Sequence, residues 1–370
     1  MFTRVLFYLA LDSLAALVSM KSVEAEQSGA TPPPGVTTAE VSIPNTRRVE
    51  LVSHVNGHQY ALDVALPFES PPPQGYGVLY VLDGYKYFAS ATEVVRALGN
   101  AHGVVVVGIG YPDDPAYLQK ILTRRGPVPT YLAGMPAAES APELERTYDL
   151  TLPASEAQLE AQNLLHAPRQ KSSNVGGLDD FLKIIETEVK PRVAALARVD
   201  PANQALFGHS FGGLAALHAL FVEPNAFRTF IIASPSIWWN NREVLADEHK
   251  FATLISSGLA TPRVLVTVGS EESTPPRLPA SWGIDPADLR ESTYRARMVE
   301  NGRDLVARLK ALHGAPGYVI ENYAVFDKEA HGVAAWSALA RGAPFAFSTQ
   351  IESEEIESQK VAAADDHHGR

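Results

Sequence analysis

Gly208-His209-Ser210-Phe211-Gly212 is a G-x-S-x-G pattern, and the serine at its centre is a candidate nucleophile. Ala205-Leu206-Phe207 before it reads as a buried strand, and Leu214-Ala215-Ala216-Leu217 after it opens a helix. The spacing has a physical cause. A strand that turns sharply into a helix puts the serine at the tip of a strained corner, and glycines at 208 and 212 remove side chains that would collide there. The helix N-terminus then points its N–H groups at the oxygen on which negative charge develops. A serine hydroxyl needs a base, the base needs an orienting acid, and in strand–turn–helix sites the chain order is Ser, acid, His.

Gly269-Ser270-Glu271-Glu272 follows the apolar run Val264-Leu265-Val266-Thr267-Val268, so a carboxylate here lies at a strand exit. Glu272 is the first choice and Glu271 the rival. Six histidines follow Ser210. His218 lies in the helix after the corner, His249 in a charged stretch, His313 at a helix end, and His367 and His368 in a charged tail. His331 follows the last strand after a short loop and precedes Gly332, the place for a general base on a mobile loop; Asp327 is a competing acid on that loop. An oxyanion site needs two N–H donors. Phe211 supplies one, and the loop Leu82-Asp83-Gly84-Tyr85 supplies the other, with Gly84 admitting substrate close to the backbone and Tyr85 donating.

These groups must be carried to one sheet edge. Short β-branched runs alternate with helical patterns, which indicates an α/β fold with a mostly parallel, doubly wound sheet. Segments 48–52 and 59–66 form an opening antiparallel pair turned at Asn56-Gly57. Further strands are expected over 77–84, 103–110, 205–208, 229–234, 263–269 and 317–323. Their continuous apolar runs imply cover on both faces. Helical periodicity marks 87–98, 177–196, 213–222 and 297–313. Between 112 and 176 the chain is rich in Pro, Glu and Arg without clear strands, too long for an ordinary connection. It is either a surface excursion or a lid-like insertion over the site.

The chain has 370 residues with no cysteine, which removes thiol catalysis, disulfides and thiolate metal sites together. Length alone suggests two domains, but α/β proteins often run this long as one, and the folded part is expected over 41–347. A net charge of −11 argues against sequence-independent binding to nucleic acid. Residues 1–25 read as a signal peptide: Arg4, apolar stretches at 5–11 and 14–18, and Ala25 at a plausible cleavage point, with Asp12 interrupting the run. Export to a periplasm or the medium follows, with cytoplasmic residence as the alternative. Segment 26–40 reads as a linker and 348–370 as a flexible tail. No later run is long and apolar enough to span a bilayer.

Several segments together resemble the esterase branch of the α/β-hydrolases, in particular the siderophore (enterobactin-type) trilactone esterases. They are Val81-Leu82-Asp83-Gly84, Val107-Gly108-Ile109-Gly110-Tyr111, Arg146-Thr147-Tyr148-Asp149-Leu150-Thr151, Gly176-Gly177-Leu178-Asp179-Asp180, Gly208-His209-Ser210-Phe211-Gly212-Gly213, Ser234-Pro235-Ser236-Ile237-Trp238-Trp239 and His331-Gly332. The resemblance implies an α/β-hydrolase fold and a serine esterase that forms an acyl-enzyme on a small ester or lactone, a siderophore trilactone among the options. An aryl or feruloyl-type esterase is the alternative, and a catalytically dead binding module the alternative from another class. It also implies a site wall that includes Trp238 and Trp239, with Arg146 and His209 near the substrate. Arg146 would either clamp an anionic substrate or tie down the insertion through Asp149, and Arg124-Arg125 would serve similarly. No metal or organic cofactor is expected, and the partner is a small-molecule ester.

Overall fold

The computed structural model describes residues 41–98, 103–126, 136–162, 171–277 and 285–348. The expected signal peptide, linker and tail, with His367 and His368, lie outside the described residues.

β1 (Thr46–Val52) and β2 (Gln59–Ala65) form the expected antiparallel pair, turned where Gly57 takes φ +73°. β2 also pairs antiparallel with β4 (Val104–Gly110). Every later pairing is parallel. β3 (Tyr76–Val81) lies between β4 and β5 (Val199–His209), and β6 (Thr229–Ala233) and β7 (Arg263–Gly269) follow. The sheet order is β1-β2-β4-β3-β5-β6-β7, with the strand Val319–Ile320 beyond β7, so β5 stands in its middle. The strand expected over 317–323 is two short pieces, β8 (Val319–Ile320) and β9 (Ala324–Phe326), each paired to one half of β7. The break lies where Tyr323 turns its hydroxyl to the Val299 carbonyl at 2.8 Å and its ring against Gly302, leaving no room for a Cβ there.

The helices are α1 (Gly84–Arg96), α2 (Pro115–Arg125), α3 (Ala137–Asp149), α4 (Glu156–Gln162), α5 (178–196), α6 (Phe211–Val222), α7 (Glu248–Ser256), α8 (Pro286–Ala296), α9 (Met298–Lys310) and α10 (His331–Phe347). Inside α5, Ile185–Val189 widens into a π-helical stretch where Glu188 turns inward to accept from the Ser53 hydroxyl and the His54 N–H. β3, β4, β6, β7 and the second half of β5 are buried on both faces, as their unbroken apolar runs require. In β3, Val78 and Tyr80 join one core with α5 and α6, while Leu79 and Val81 join the other with α1 and α10. Each large side chain buried this way contributes about 1.5–3 kcal/mol. α10 lies so close to the sheet that a Cβ on Gly342 would sit 2.6 Å from Ile231.

The segment expected to be either an excursion or a lid has, among its described residues, a packed interior. Tyr117, Leu118, Ile121, Ala141 and Leu144 are buried in the larger core. In α3 the charged residues also point inward. Arg124 and Arg125 reach Glu145 at 2.6 and 2.9 Å, and Tyr60 and Tyr111 hold Asp149.

Candidate active site

β5 ends at His209, and α6 begins at Phe211, so one residue makes the whole corner. Ser210 holds φ +62° and ψ −117°, a conformation that costs of order 1–3 kcal/mol for a residue with a side chain. Two glycines make the corner sterically possible. A Cβ on Gly208 would lie 2.0 Å from the Gly212 carbonyl oxygen, and one on Gly213 would lie 2.5 Å from the Ala233 carbonyl oxygen. Gly212 is less confined, with Asp83 Oδ2 at 3.3 Å, so the second tight position is 213 rather than 212. The Ser210 N–H donates to Ala233, and its carbonyl accepts from Ser236 and Leu214, which ties the corner to the exit of β6.

The acid and the imidazole meet. His331 Nδ1 lies 2.7 Å from Glu272 Oε2, and both side chains are almost fully buried. The other carboxylate oxygen accepts from the Ser234 hydroxyl at 2.6 Å and the Gly269 N–H at 2.7 Å. Glu272 is therefore fixed in one orientation, whereas Glu271 and Asp327 are exposed. Of the two glutamates, 272 is the one that meets the imidazole. His331 is the first residue of the long helix α10 and is 1% exposed, which corrects its placement on a mobile loop. The Ala-rich helix behind it fixes its backbone. Its ring packs 4.5 Å from that of His209, the neighbour of Ser210.

The donors expected for an oxyanion lie at two helix N-termini. Phe211 opens α6, and Gly84-Tyr85 opens α1 after Asp83 in the left-handed region at φ +55°. Gly84 presses on its neighbour strand: a Cβ would meet the Gly108 carbonyl carbon at 2.5 Å. The close approach it permits is thus to β4 rather than to substrate.

Arg146 departs from both roles expected of it. It forms a two-pronged ion pair with Asp83 at 2.7 and 2.8 Å, with its guanidinium over the Phe211 ring at 5.6 Å, and it does not pair with Asp149. Its side chain is 5% exposed, so it braces α3 against the 83–85 turn instead of presenting charge to solvent. Arg124 and Arg125 are committed to Glu145, and Arg125 also covers the Tyr148 ring at 3.7 Å. Burial alone would raise the Glu145 carboxyl; hydrogen bonds from His58 and Arg125 and the charges of both arginines hold it down at about 2. Burial, with the nearby Glu145 charge, pushes Asp149 well above the ordinary carboxylate range.

The two tryptophans divide. Trp239 is buried, stands edge-on to Phe211 at 5.3 Å, and gives its indole N–H to the Leu152 carbonyl, so it serves the core rather than a substrate wall. Trp238 is half-buried beside Phe211 at 6.1 Å. His209 is also no substrate contact: it is 1% exposed and both ring nitrogens are engaged within the protein. Sequence reasoning missed Asp83, Ser234 and Tyr87. Asp83 stands before the glycine singled out for the oxyanion loop, and Ser234 opens the quoted Ser-Pro-Ser segment; neither had a visible partner in sequence.

His58, Glu145 and Asp149 offer atoms within 4.8 Å of one another. They do not fit a divalent cation, because Glu145 is already neutralised by two arginines and burial favours a protonated Asp149. No described helix is long and apolar enough to cross a membrane.

Residues 145–313 match the family described as Putative esterase, a span that includes Ser210 and Glu272 and stops short of His331. The chain is 34% identical over 283 residues to the siderophore triacetylfusarinine C esterase of Aspergillus fumigatus, covering 73% of this chain and 82% of that protein. It is 32% identical over 304 residues to the siderophore enterobactin esterase of Emericella nidulans, covering 77% and 88%. Among solved structures, the BES protein of Bacillus cereus superposes with a TM-score of 0.63 at 28% identity, over 84% of this chain and 99% of that one. Relatives this similar over most of their length share more than a fold, and the chain belongs to their esterase family, as an ester hydrolase of α/β-hydrolase architecture.

Proposed function

We propose that this ester hydrolase is a serine enzyme acting on the ester bonds of siderophore lactones. The observation that carries the mechanism is the buried Glu272–His331 pair at 2.7 Å beside the strained Ser210 corner. His331 takes the hydroxyl proton of Ser210 as its oxygen attacks the ester carbonyl, and Glu272 fixes the tautomer that leaves Nε2 as base. The N–H groups of Phe211 and Tyr85 receive the oxyanion. The tetrahedral intermediate collapses, His331 returns the proton to the leaving alkoxide, and an acyl-Ser210 ester remains. Water, deprotonated by His331, attacks that ester; the acid product leaves and Ser210 regains its proton.

The siderophore substrate is supported by the names of the fungal relatives, which act on triacetylfusarinine C and enterobactin. Trp238 beside Phe211 offers an aromatic surface for an aryl acyl group. Export is supported by Arg4, the apolar stretch and Ala25, and N-terminal sequencing of the mature protein checks it: a start near residue 26 is expected.

The test compares wild type and Ser210→Ala on a catecholate trilactone, a hydroxamate ester siderophore, a feruloyl ester and p-nitrophenyl butyrate. A siderophore ester is expected to show at least about tenfold the kcat/KM of the simple esters, with activity on all of them lost in the variant. A flat response across the panel removes the siderophore assignment; full activity in Ser210→Ala removes the serine mechanism.

A further inference from the structure

His209 precedes the candidate nucleophile and is buried on every side, yet both of its ring nitrogens are used. Nε2 lies 2.8 Å from the backbone carbonyl oxygen of His331, and Nδ1 lies 3.0 Å from the Tyr87 hydroxyl. The hydrogens follow from chemistry. A carbonyl only accepts, so Nε2 carries the proton. In a neutral imidazole Nδ1 must then accept, so the Tyr87 hydroxyl donates. Burial, with the neighbouring His331, pushes His209 well below the ordinary histidine range and favours that neutral form. The groups facing it are few: Tyr87 from α1, His331 from α10, and the more distant positive charges of Arg146 and Lys86, which also disfavour a second proton.

The chain Tyr87–His209–His331 therefore joins three of the elements that carry the site. Tyr87 stands two residues after the Tyr85 N–H on α1. His209 is the last residue of β5 before Ser210. His331 opens α10. Glu272 orients the imidazole ring through Nδ1, and the ring moves wherever the His331 backbone moves. The His209 bond holds that backbone, and the ring contact at 4.5 Å limits tilt. Tyr87 is itself locked, edge-on to Phe207 and to Trp336 at 5.8 and 5.9 Å.

We infer that Tyr87 and His209 form a positioning relay that holds the His331 backbone, and with it the catalytic base, in register with Ser210 and the oxyanion donors. This rests on the serine mechanism proposed above. Tyr87 and His209 are positioning residues, and they touch no substrate. The relay also accounts for a histidine at 209: its proton must sit on the far nitrogen while the near one accepts, which a leucine or phenylalanine of similar volume cannot reproduce.

The experiment uses the full chain and four variants: Tyr87→Phe, His209→Leu, His209→Gln and Ser210→Ala. Each is assayed for kcat and KM on p-nitrophenyl butyrate, and for melting temperature. Tyr87→Phe keeps the ring packing and frees the His209 tautomer; its kcat is expected to fall roughly tenfold to a hundredfold with KM unchanged, as small misplacements of catalytic groups do. His209→Leu is expected to fall at least as far. His209→Gln keeps an amide donor near the His331 carbonyl and is expected to recover at least a third of wild-type kcat, a rescue that bulk packing does not predict. Wild-type kcat in Tyr87→Phe overturns the inference, as does a His209→Gln no better than the leucine variant, or a loss carried entirely by KM. If His209→Leu fails to fold, the phenylalanine and glutamine variants decide. Ser210→Ala separates the two levels: inactivity there with an unimpaired Tyr87→Phe sinks the relay alone, whereas an active Ser210→Ala sinks the serine mechanism beneath it.

Discussion

Removing Arg146 strands a carboxylate inside the protein. Asp83 has 1% of its side chain exposed, and both of its oxygens accept from the Arg146 guanidinium at 2.7 and 2.8 Å. In Arg146→Met the methionine can fill the volume over Phe211, but nothing replaces the charge. Breaking a buried pair by deleting one partner typically costs about 3–5 kcal/mol. That is a large share of the roughly 5–15 kcal/mol that holds a domain together. Neutralising the survivor should return much of it, because the cost lies in the unpaired charge. Asn is the right replacement at 83: it keeps the shape and tolerates the left-handed φ of +55° found there. Equilibrium denaturation in urea, followed by circular dichroism, is therefore expected to show Arg146→Met losing about 3–5 kcal/mol. Asp83→Asn/Arg146→Met is expected to recover at least half of that. A loss under about 1 kcal/mol, the scale of an exposed pair, would refute the reasoning. So would a double variant no more stable than the single one. The kinetics bear on the same point. If Arg146 braces the turn before Tyr85, the variant loses kcat equally on neutral and anionic esters; a KM rise confined to anionic esters would make it a substrate clamp after all.

Other outcomes follow from the same geometry. Glu272→Gln leaves one acceptor oxygen where two now serve His331, Ser234 and Gly269, and stabilises the wrong imidazole tautomer; kcat is expected to fall by about 10⁴ on p-nitrophenyl butyrate with KM little changed. Gly208→Ala, whose Cβ would lie 2.0 Å from the Gly212 carbonyl oxygen, should lose more than about 3 kcal/mol or fail to accumulate as folded protein. Gly57→Ala, with open space around it but φ +73°, should cost about 1 kcal/mol in the same denaturation assay. Glu145 is held at about 2 against an ordinary value of 4.5, so its contribution is present above pH 4.5 and lost as the pH falls toward 2. The urea midpoint of wild type should drop through that window, and Glu145→Gln should start lower at neutral pH and lack that part of the acid slope. Asp149 runs the other way: its raised pKa makes the stability it contributes present at low pH and lost as it ionises, so Asp149→Asn should gain on wild type as the pH rises.

The parts of the site legible in the sequence are those whose cause is local. The Ser210 corner is readable because the strand, the glycines and the helix that make it are contiguous; β3, β4, β6, β7 and the buried end of β5 are readable because strands covered on both faces are apolar without interruption, whereas the polar first half of β5, from Val199, carries no such signal. His331 was reached by elimination among the later histidines, but its setting was misread. The helix behind it is apolar on most sides and carries Gly342 and an internal Pro344, so it shows little 3.6-residue periodicity. The roles of Arg146, Trp239 and His209 were unreadable for a different reason. Each is decided by a partner 63 to 122 positions away, Asp83, Leu152 or His331, and no pattern within a window reports such a meeting. The insertion reads as polar because its polar side chains find buried partners, Glu145 two arginines and Asp149 the hydroxyls of Tyr60 and Tyr111, so composition counts as surface what folding buries.

The placement of β5 beside β3 has a consequence for how the enzyme comes into being. Joining those strands closes a stretch of more than a hundred residues, since Val81 meets Phe207, and His331, the proposed base, arrives only when the last described helix docks. Long-range closure of this kind is slow, because conformational entropy is lost before contacts compensate for it. A nascent or truncated chain that lacks α10 holds its hydroxyl and its carboxylate but no imidazole. On the proposed serine mechanism such a chain is expected to show no turnover, so hydrolysis requires α10 to be docked as well as the sheet to be formed.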